Sequence, residues 1–228
     1  MSIAENLAEV QQRIGAAARR SGRSPEAVTL VAVSKYVSAE LTSELVEAGC
    51  RELGEARPQE LWRKAGSLSQ PGIHWHLIGH LQTNKVRRTV PLVLLIQSID
   101  SQNLLDVVNR EAAALGRTIP VLLEVNISGD ATKHGLVPDA VRAIVERSGE
   151  WPAVQIRGLM GMAALEGGID VARKNFADLR NLRDGIAAAG LPGGSLQELS
   201  MGMSDDYEAA IEEGATIVRV GSALFEGI

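Results

Sequence analysis

The stretch VTLVAVSK, residues 28–35, decides the fold. It is an apolar, β-branched strand that closes on a serine and a lysine. No Gly-x-Gly-x-x-Gly turn follows it, as an open dinucleotide-binding sheet requires. Seven further runs of the same kind are spread along the chain: CREL (50–53), IHWHLI (73–78), LVLLIQSI (92–99), IPVLLEVNI (119–127), VQIRGLM (154–160), LQELS (196–200) and ATIVRV (215–220). Helix-like stretches separate them, around 38–48, 57–68, 81–89, 102–116, 137–148, 170–189 and 205–213. A further helix at about 3–20 precedes the first strand. Most of the strands are too apolar to keep a wet face, which predicts a parallel sheet covered by helices. Eight strands so spaced predict an α/β fold, a single (β/α)8 TIM barrel over residues 1–228 with an extra N-terminal helix.

Composition narrows the partners. The chain has 228 residues and a formal net charge of -5, so non-specific adhesion to nucleic acid or to an anionic membrane is not expected. A local basic run, Lys85, Arg87 and Arg88 in HLQTNKVRR, does not alter that balance. The lone cysteine, Cys50, permits no internal disulfide and suits a reducing compartment, so the expected location is the cytoplasm. No run approaches the roughly 18 charge-free apolar residues of a membrane span.

In a barrel the active site lies at the C-terminal ends of the strands, so polar residues there are the candidates. Lys35 is the sharpest. A lysine at the rim of an apolar barrel loses hydration, which frees its amine for Schiff-base chemistry. The alternative is a snorkelling rim lysine, or the partner of a buried acid such as Glu55 or Glu124. The exits of strands seven and eight form a second signal. SMGMS (200–204) and RVGS (219–222) supply hydroxyls and glycines at the corner where barrels often hold a phosphate. Here too an ordinary helix cap built on Asp205 and Asp206 is the alternative. Strand eight closes against strand one, so a lysine and a phosphate corner lie within reach of one small phosphorylated aldehyde, a shape that pyridoxal phosphate has. An arginine at its ring nitrogen, the position open to Arg219, disfavours full electron-sink chemistry. His74, His76 and His80 share a segment without a cysteine cluster, and no metal site is expected from them.

VAVSKYVSAE, LGEARPQE, HWHLIGHLQTNK, QSIDS, LLEVNISGDATKHG, IRGLMGM, LSMGMSDDYEAAIEEGAT and VRVGSALFEG together resemble the successive motifs of the pyridoxal-phosphate homeostasis protein family, also described as YggS-like or proline-synthetase co-transcribed. The resemblance spans roughly residues 28–227. It implies a barrel of the alanine racemase N-terminal type that holds pyridoxal 5'-phosphate. Lys35 would correspond to the lysine of the internal aldimine. Ser200, Gly221 and Ser222 would correspond to phosphate-binding positions, with Met201 or Ser204 contributing. Arg219 would face the pyridine nitrogen, and Ile78, Gly79 and Met160 would line the pocket. Lys133 resembles a surface or lid position. The family usually reads Gly-Glu-Asn where this chain has Gly54-Glu55-Ala56, a lost amide hydrogen bond of about 1 kcal/mol.

The resemblance further implies a cofactor carrier in vitamin B6 and amino-acid homeostasis rather than a robust catalyst, with pyridoxal-phosphate-dependent apo-enzymes as recipients. Few residues follow strand eight, whereas alanine racemase adds a second domain that supplies a tyrosine base across a dimer. A monomer is therefore expected, and weak racemase-like activity is the alternative.

Overall fold

The computed structural model describes every residue except Met1, Ala131 and Lys133, so the reading of Lys133 lies outside the described residues. Eight strands form a closed, all-parallel barrel in chain order: β1 (Thr29–Val33), β2 (Glu52–Glu55), β3 (His74–Leu77), β4 (Leu95–Ile99), β5 (Ile119–Val125), β6 (Val154–Gly161), β7 (Glu198–Ser200) and β8 (Ile217–Val220). Closure is direct, since Thr29, Leu30, Val31 and Ala32 of β1 pair with Ile217 to Val220 of β8. Outside the wall lie α1 (Ile3–Arg20), α2 (Ala39–Glu47), α3 (Pro58–Ser67), α4 (Val86–Thr89), α5 (Gln102–Ala114), α6 (Pro138–Glu146), α7 (Gly168–Ala188) and α8 (Tyr207–Glu212).

Two apolar clusters result. The larger sits between the wall and the helices and includes Leu45, Leu61, Val108, Val145, Phe176 and Ile211. A separate one, Val31, Leu95, Leu122, Met160 and Ile217, draws one residue from each of five strands and fills part of the barrel interior. Successive strand residues face opposite sides, so those five strands feed both clusters.

The added helix α1 begins with a capping box, in which Ser2 and Glu5 satisfy each other's backbone N–H. Its buried Asn6 donates from Nδ2 to the carbonyls of Leu224 and Glu226 at 3.2 and 3.0 Å. Arg13 and Arg20 pair with Glu208 and Glu212 on α8. The helix thus fastens both segments that flank β8, the ones that carry the serines of the predicted corner.

Among the described residues no helix is long and apolar enough to cross a membrane.

Candidate cofactor site

A cavity of about 730 Å³ opens at the C-terminal ends of the strands. Of the residues singled out from sequence, Lys35, Ile78, Gly79, Ser204, Arg219, Gly221 and Ser222 line it, while Met160, Ser200 and Met201 do not.

Lys35 directly follows β1 and Ser34, and its backbone is held from beneath. Ser34 is fully buried; its hydroxyl donates to Glu55 Oε1 at 2.8 Å, and its carbonyl accepts from Lys64 Nζ at 2.6 Å. Lys64, from α3, also pairs with Glu55. Lys35 is therefore not the partner of Glu55; a second, buried lysine fills that role. The Lys35 side chain is exposed, so the expected dehydrated amine is not what the fold provides. The amine reaches into the cavity wall beside Tyr36, which adopts a left-handed backbone with φ of 70°.

Two residues past β3, Gly79 serves a steric need: a Cβ there would lie 2.3 Å from the carbonyl oxygen of Ala56. This lets the exits of β2 and β3 close up beneath the cavity. Ala56, where the resemblance implies an asparagine, also lines it.

Arg219 is 4% exposed and its hydrogen-bond partners are neutral. Its guanidinium donates to Ser200 Oγ at 2.6 Å and to the Gly161 carbonyl at 3.0 Å. Burial pulls its pKa down to about 10, against the attraction of Glu124 and Asp206, and leaves it a cation at neutral pH. A buried cation on a cavity wall with neutral partners is suited to an incoming acceptor. Nearby, the Gly221 N–H donates to Ser204 Oγ at 3.2 Å, which draws the exits of β7 and β8 into one corner with Ser222. Asp206 holds the N-cap position of α8 without a side-chain cap hydrogen bond; its carboxylate accepts instead from the Met203 N–H, upstream of the helix, at 2.6 Å.

Three expectations need correction. Ser200 is fully buried, and its hydroxyl donates to Gln97 Oε1 at 2.6 Å inside the barrel. It reaches the cavity only through Arg219. Met201, next along the chain, must face the other way and packs in the shell under the helices. Met160 belongs to the interior cluster below the cavity. The cavity wall instead takes Met162, Met203, Glu124, His80 and His134, which sequence reasoning did not assign to the cofactor.

Glu124 is notable among these. Burial, with a smaller push from Asp100, raises its pKa to about 7, opposed by Arg219 and His80. His80, Asp100 and His134 bring three potential metal-binding atoms within 4.8 Å of one another. The two imidazoles are stacked, however, with centroids 4.5 Å apart and planes 14° from parallel. A metal must lie in the plane of each ring that binds it, which stacked rings cannot both satisfy. Asp100 instead accepts a hydrogen bond from His80 Nδ1 at 2.8 Å.

The alanine racemase N-terminal domain model matches residues 3–227. A pyridoxal phosphate homeostasis protein of Aquifex aeolicus is 41% identical over 226 residues, covering 99% of this chain and 98% of that one. The chain belongs to the pyridoxal phosphate homeostasis protein family. The Escherichia coli member is 37% identical over 98% of this chain and 95% of its own. Among solved structures, PipY of Synechococcus elongatus with pyridoxal phosphate bound superposes with a TM-score of 0.87 at 38% identity, covering 98% of this chain and all of that one (100%). An alanine racemase of Streptomyces lavendulae shares the fold at 20% identity and a TM-score of 0.73, and this chain covers 56% of it.

Proposed function

We propose that this chain binds pyridoxal 5'-phosphate at the barrel mouth and serves as a carrier of that cofactor. The observation that carries the reading is the convergence on one cavity of a primary amine, a buried guanidinium with neutral partners, and a hydroxyl-lined corner. The donor set fits a phosphorylated pyridine aldehyde. Lys35 would hold its aldehyde end, Ser204, Gly221 and Ser222 its phosphate, and Arg219 its ring. Bound pyridoxal phosphate supplies an aldehyde for amines and an electron-withdrawing ring.

Arg219 is what favours carriage over turnover. A cation facing the ring opposes protonation there, and strong carbanion stabilisation wants an acid instead. The family relatives matched nearly end to end are named for homeostasis, whereas the racemase shares only the barrel. The recipients in this reading are apo-enzymes that depend on pyridoxal phosphate, and the setting is intracellular vitamin B6 balance.

Titration of the purified protein with pyridoxal phosphate is expected to give the absorbance band of a lysine-bound cofactor. Lys35→Ala loses that band and keeps part of the affinity through the phosphate corner. An unchanged wild-type spectrum rejects the reading.

Glu124 supports a second reading. A cavity carboxyl with a pKa of about 7 can exchange protons at neutral pH, as racemase-like chemistry on an amino acid would need. Deuterium exchange at the α-carbon of added amino acids separates the two, because a carrier gives none.

A further inference from the structure

The barrel interior holds a chain of polar side chains where barrels commonly stack valine, isoleucine and leucine. Arg219 on β8 donates from Nη1 to Ser200 Oγ at 2.6 Å, and Ser200 on β7 donates to Gln97 Oε1 at 2.6 Å. Since β4 and β7 are not neighbours in the wall, the Gln97–Ser200 bond crosses the lumen. Gln97 Nε2 then meets His76 Nδ1 on β3 at 3.0 Å, and His76 Nε2 meets Glu52 Oε2 on β2 at 2.6 Å. His76, Gln97, Ser200 and Arg219 are all at least 96% buried, at 3, 0, 0 and 4% exposure. Glu52 and its other partner, His74, stand at the opposite end of the barrel from the cavity, at the starts of β2 and β3.

The two ends of this chain fix its direction. A guanidinium can only donate, so Ser200 Oγ must accept from it, which commits the serine's single O–H to Gln97 Oε1. The Gln97 amide then presents its NH2 to His76, and Nδ1 must be an unprotonated acceptor. The ring proton is left on Nε2, donated to a carboxylate that can only accept. Glu52 stays a carboxylate: burial pushes its pKa up, but the hydrogen bonds from His76 and His74 outweigh this and lower it. Turning the Gln97 amide over would leave the Ser200 hydroxyl proton without an acceptor. Five side chains thus share one consistent arrangement, with a single direction for each of the four bonds that join them.

We infer that Glu52, His76, Gln97 and Ser200 form a one-way hydrogen-bond relay that orients the Arg219 guanidinium toward the cavity, with His76 as a neutral imidazole protonated on Nε2. His76 and Gln97 are positioning residues, since neither lines the cavity. This assignment rests on the proposed cofactor site for its purpose, and on the side-chain geometry alone for its direction.

Two measurements test it separately. Nitrogen-15 NMR of the ligand-free protein reads the His76 tautomer and the guanidinium of Arg219. The expected result is a single Nε2–H tautomer and resolved, slowly rotating Nη groups. An Nδ1–H tautomer, or a freely rotating guanidinium, overturns the relay whatever the protein binds. The second measurement compares Gln97→Leu with Gln97→Glu. The leucine leaves the Ser200 hydroxyl proton without an acceptor and so frees the group that orients Arg219; it should lose the resolved Nη signals and weaken pyridoxal phosphate binding about fivefold, as a lost neutral hydrogen bond of about 1 kcal/mol implies. The glutamate still accepts from Ser200, and also from a second proton on His76. It should restore the Arg219 signals and the affinity while converting His76 to the imidazolium.

Equal binding and equal Arg219 signals in a folded Gln97→Leu protein overturn the inference. If the wild type itself fails to bind pyridoxal phosphate, the cofactor reading falls, and the NMR results still decide the relay. If Gln97→Leu does not fold, the wild-type tautomer and the Gln97→Glu imidazolium decide it.

Discussion

Leu45, Leu61, Val108, Val145, Phe176 and Ile211 fill the space between the barrel wall and its helices, while inside the wall Val31, Leu95, Leu122, Met160 and Ile217 share the room with His76, Gln97, Ser200 and Arg219. The shell is the source of stability: fully burying one such apolar side chain contributes about 1.5–3 kcal/mol. The interior gives up part of that gain. Its polar groups return little net stability even when paired, about 1 kcal/mol per hydrogen bond, and cost more when unpaired. What they provide is a fixed orientation for one buried cation at the cavity. Substitutions in the shell should therefore move stability, those in the interior chain should move ligand affinity, and a buried titrating group at the mouth should move stability only with pH.

Lys64 and Glu55 are a polar intrusion into the shell and give the largest expected effect. Lys64→Met strands a buried carboxylate beside Ser34 and should cost about 4 kcal/mol in urea unfolding. Because the pair supports the turn before Lys35, attachment of the cofactor at Lys35 should slow as well. A loss below about 1 kcal/mol would show that the shell does not depend on the pair.

Glu124 probes the mouth through pH. Its folded pKa of about 7 lies above the ordinary 4.5, so the folded state holds this proton more tightly than the unfolded one. The resulting penalty is absent below pH 4.5, grows as pH rises toward 7, and is complete above it. Glu124→Gln should therefore stabilise the protein by about 3 kcal/mol at pH 8 and by nothing at pH 4, read from paired thermal melts. A gain that is equal at both pH values would contradict a buried, titrating carboxyl.

The smallest expected effect lies at Ala56. Ala56→Asn, the residue that the family resemblance implies there, should tighten pyridoxal phosphate binding about fivefold, the worth of one neutral hydrogen bond of about 1 kcal/mol, with unfolding unchanged.

The shell was the more legible region in the sequence. Runs such as IPVLLEVNI and the helices between them place eight strands within a few residues of where they lie. The second strand was read two residues early, as 50–53 instead of Glu52–Glu55, because Glu55 looks like a polar exit. Its burial is compensated by Lys64 and Ser34, partners that no local pattern reveals. The fourth was read three residues too long at its start, since Leu92 and Leu94 are exposed in the turn before Leu95.

The interior was less legible because a one-residue choice of face decides it. Ser200 and Met201 are adjacent and cannot both look into the cavity, so period-two alternation argues against one of them. Which one could not be read from a three-residue strand. Lys35, Arg219, Gly221 and Ser222 are legible as cavity-wall residues because they follow or end strands on the side where barrels keep their sites. Gln97 and His76 sit one layer deeper, and their roles depend on a bond across the lumen between residues 103 positions apart.

The central claim is that the mouth holds pyridoxal phosphate through Lys35, and peptide mapping tests it most directly. The protein is saturated with the cofactor, reduced with borohydride, digested and analysed by mass spectrometry. The expected result is a single pyridoxyl phosphate label on the peptide that contains Lys35. Label on any other lysine, or none at saturation, would contradict the account.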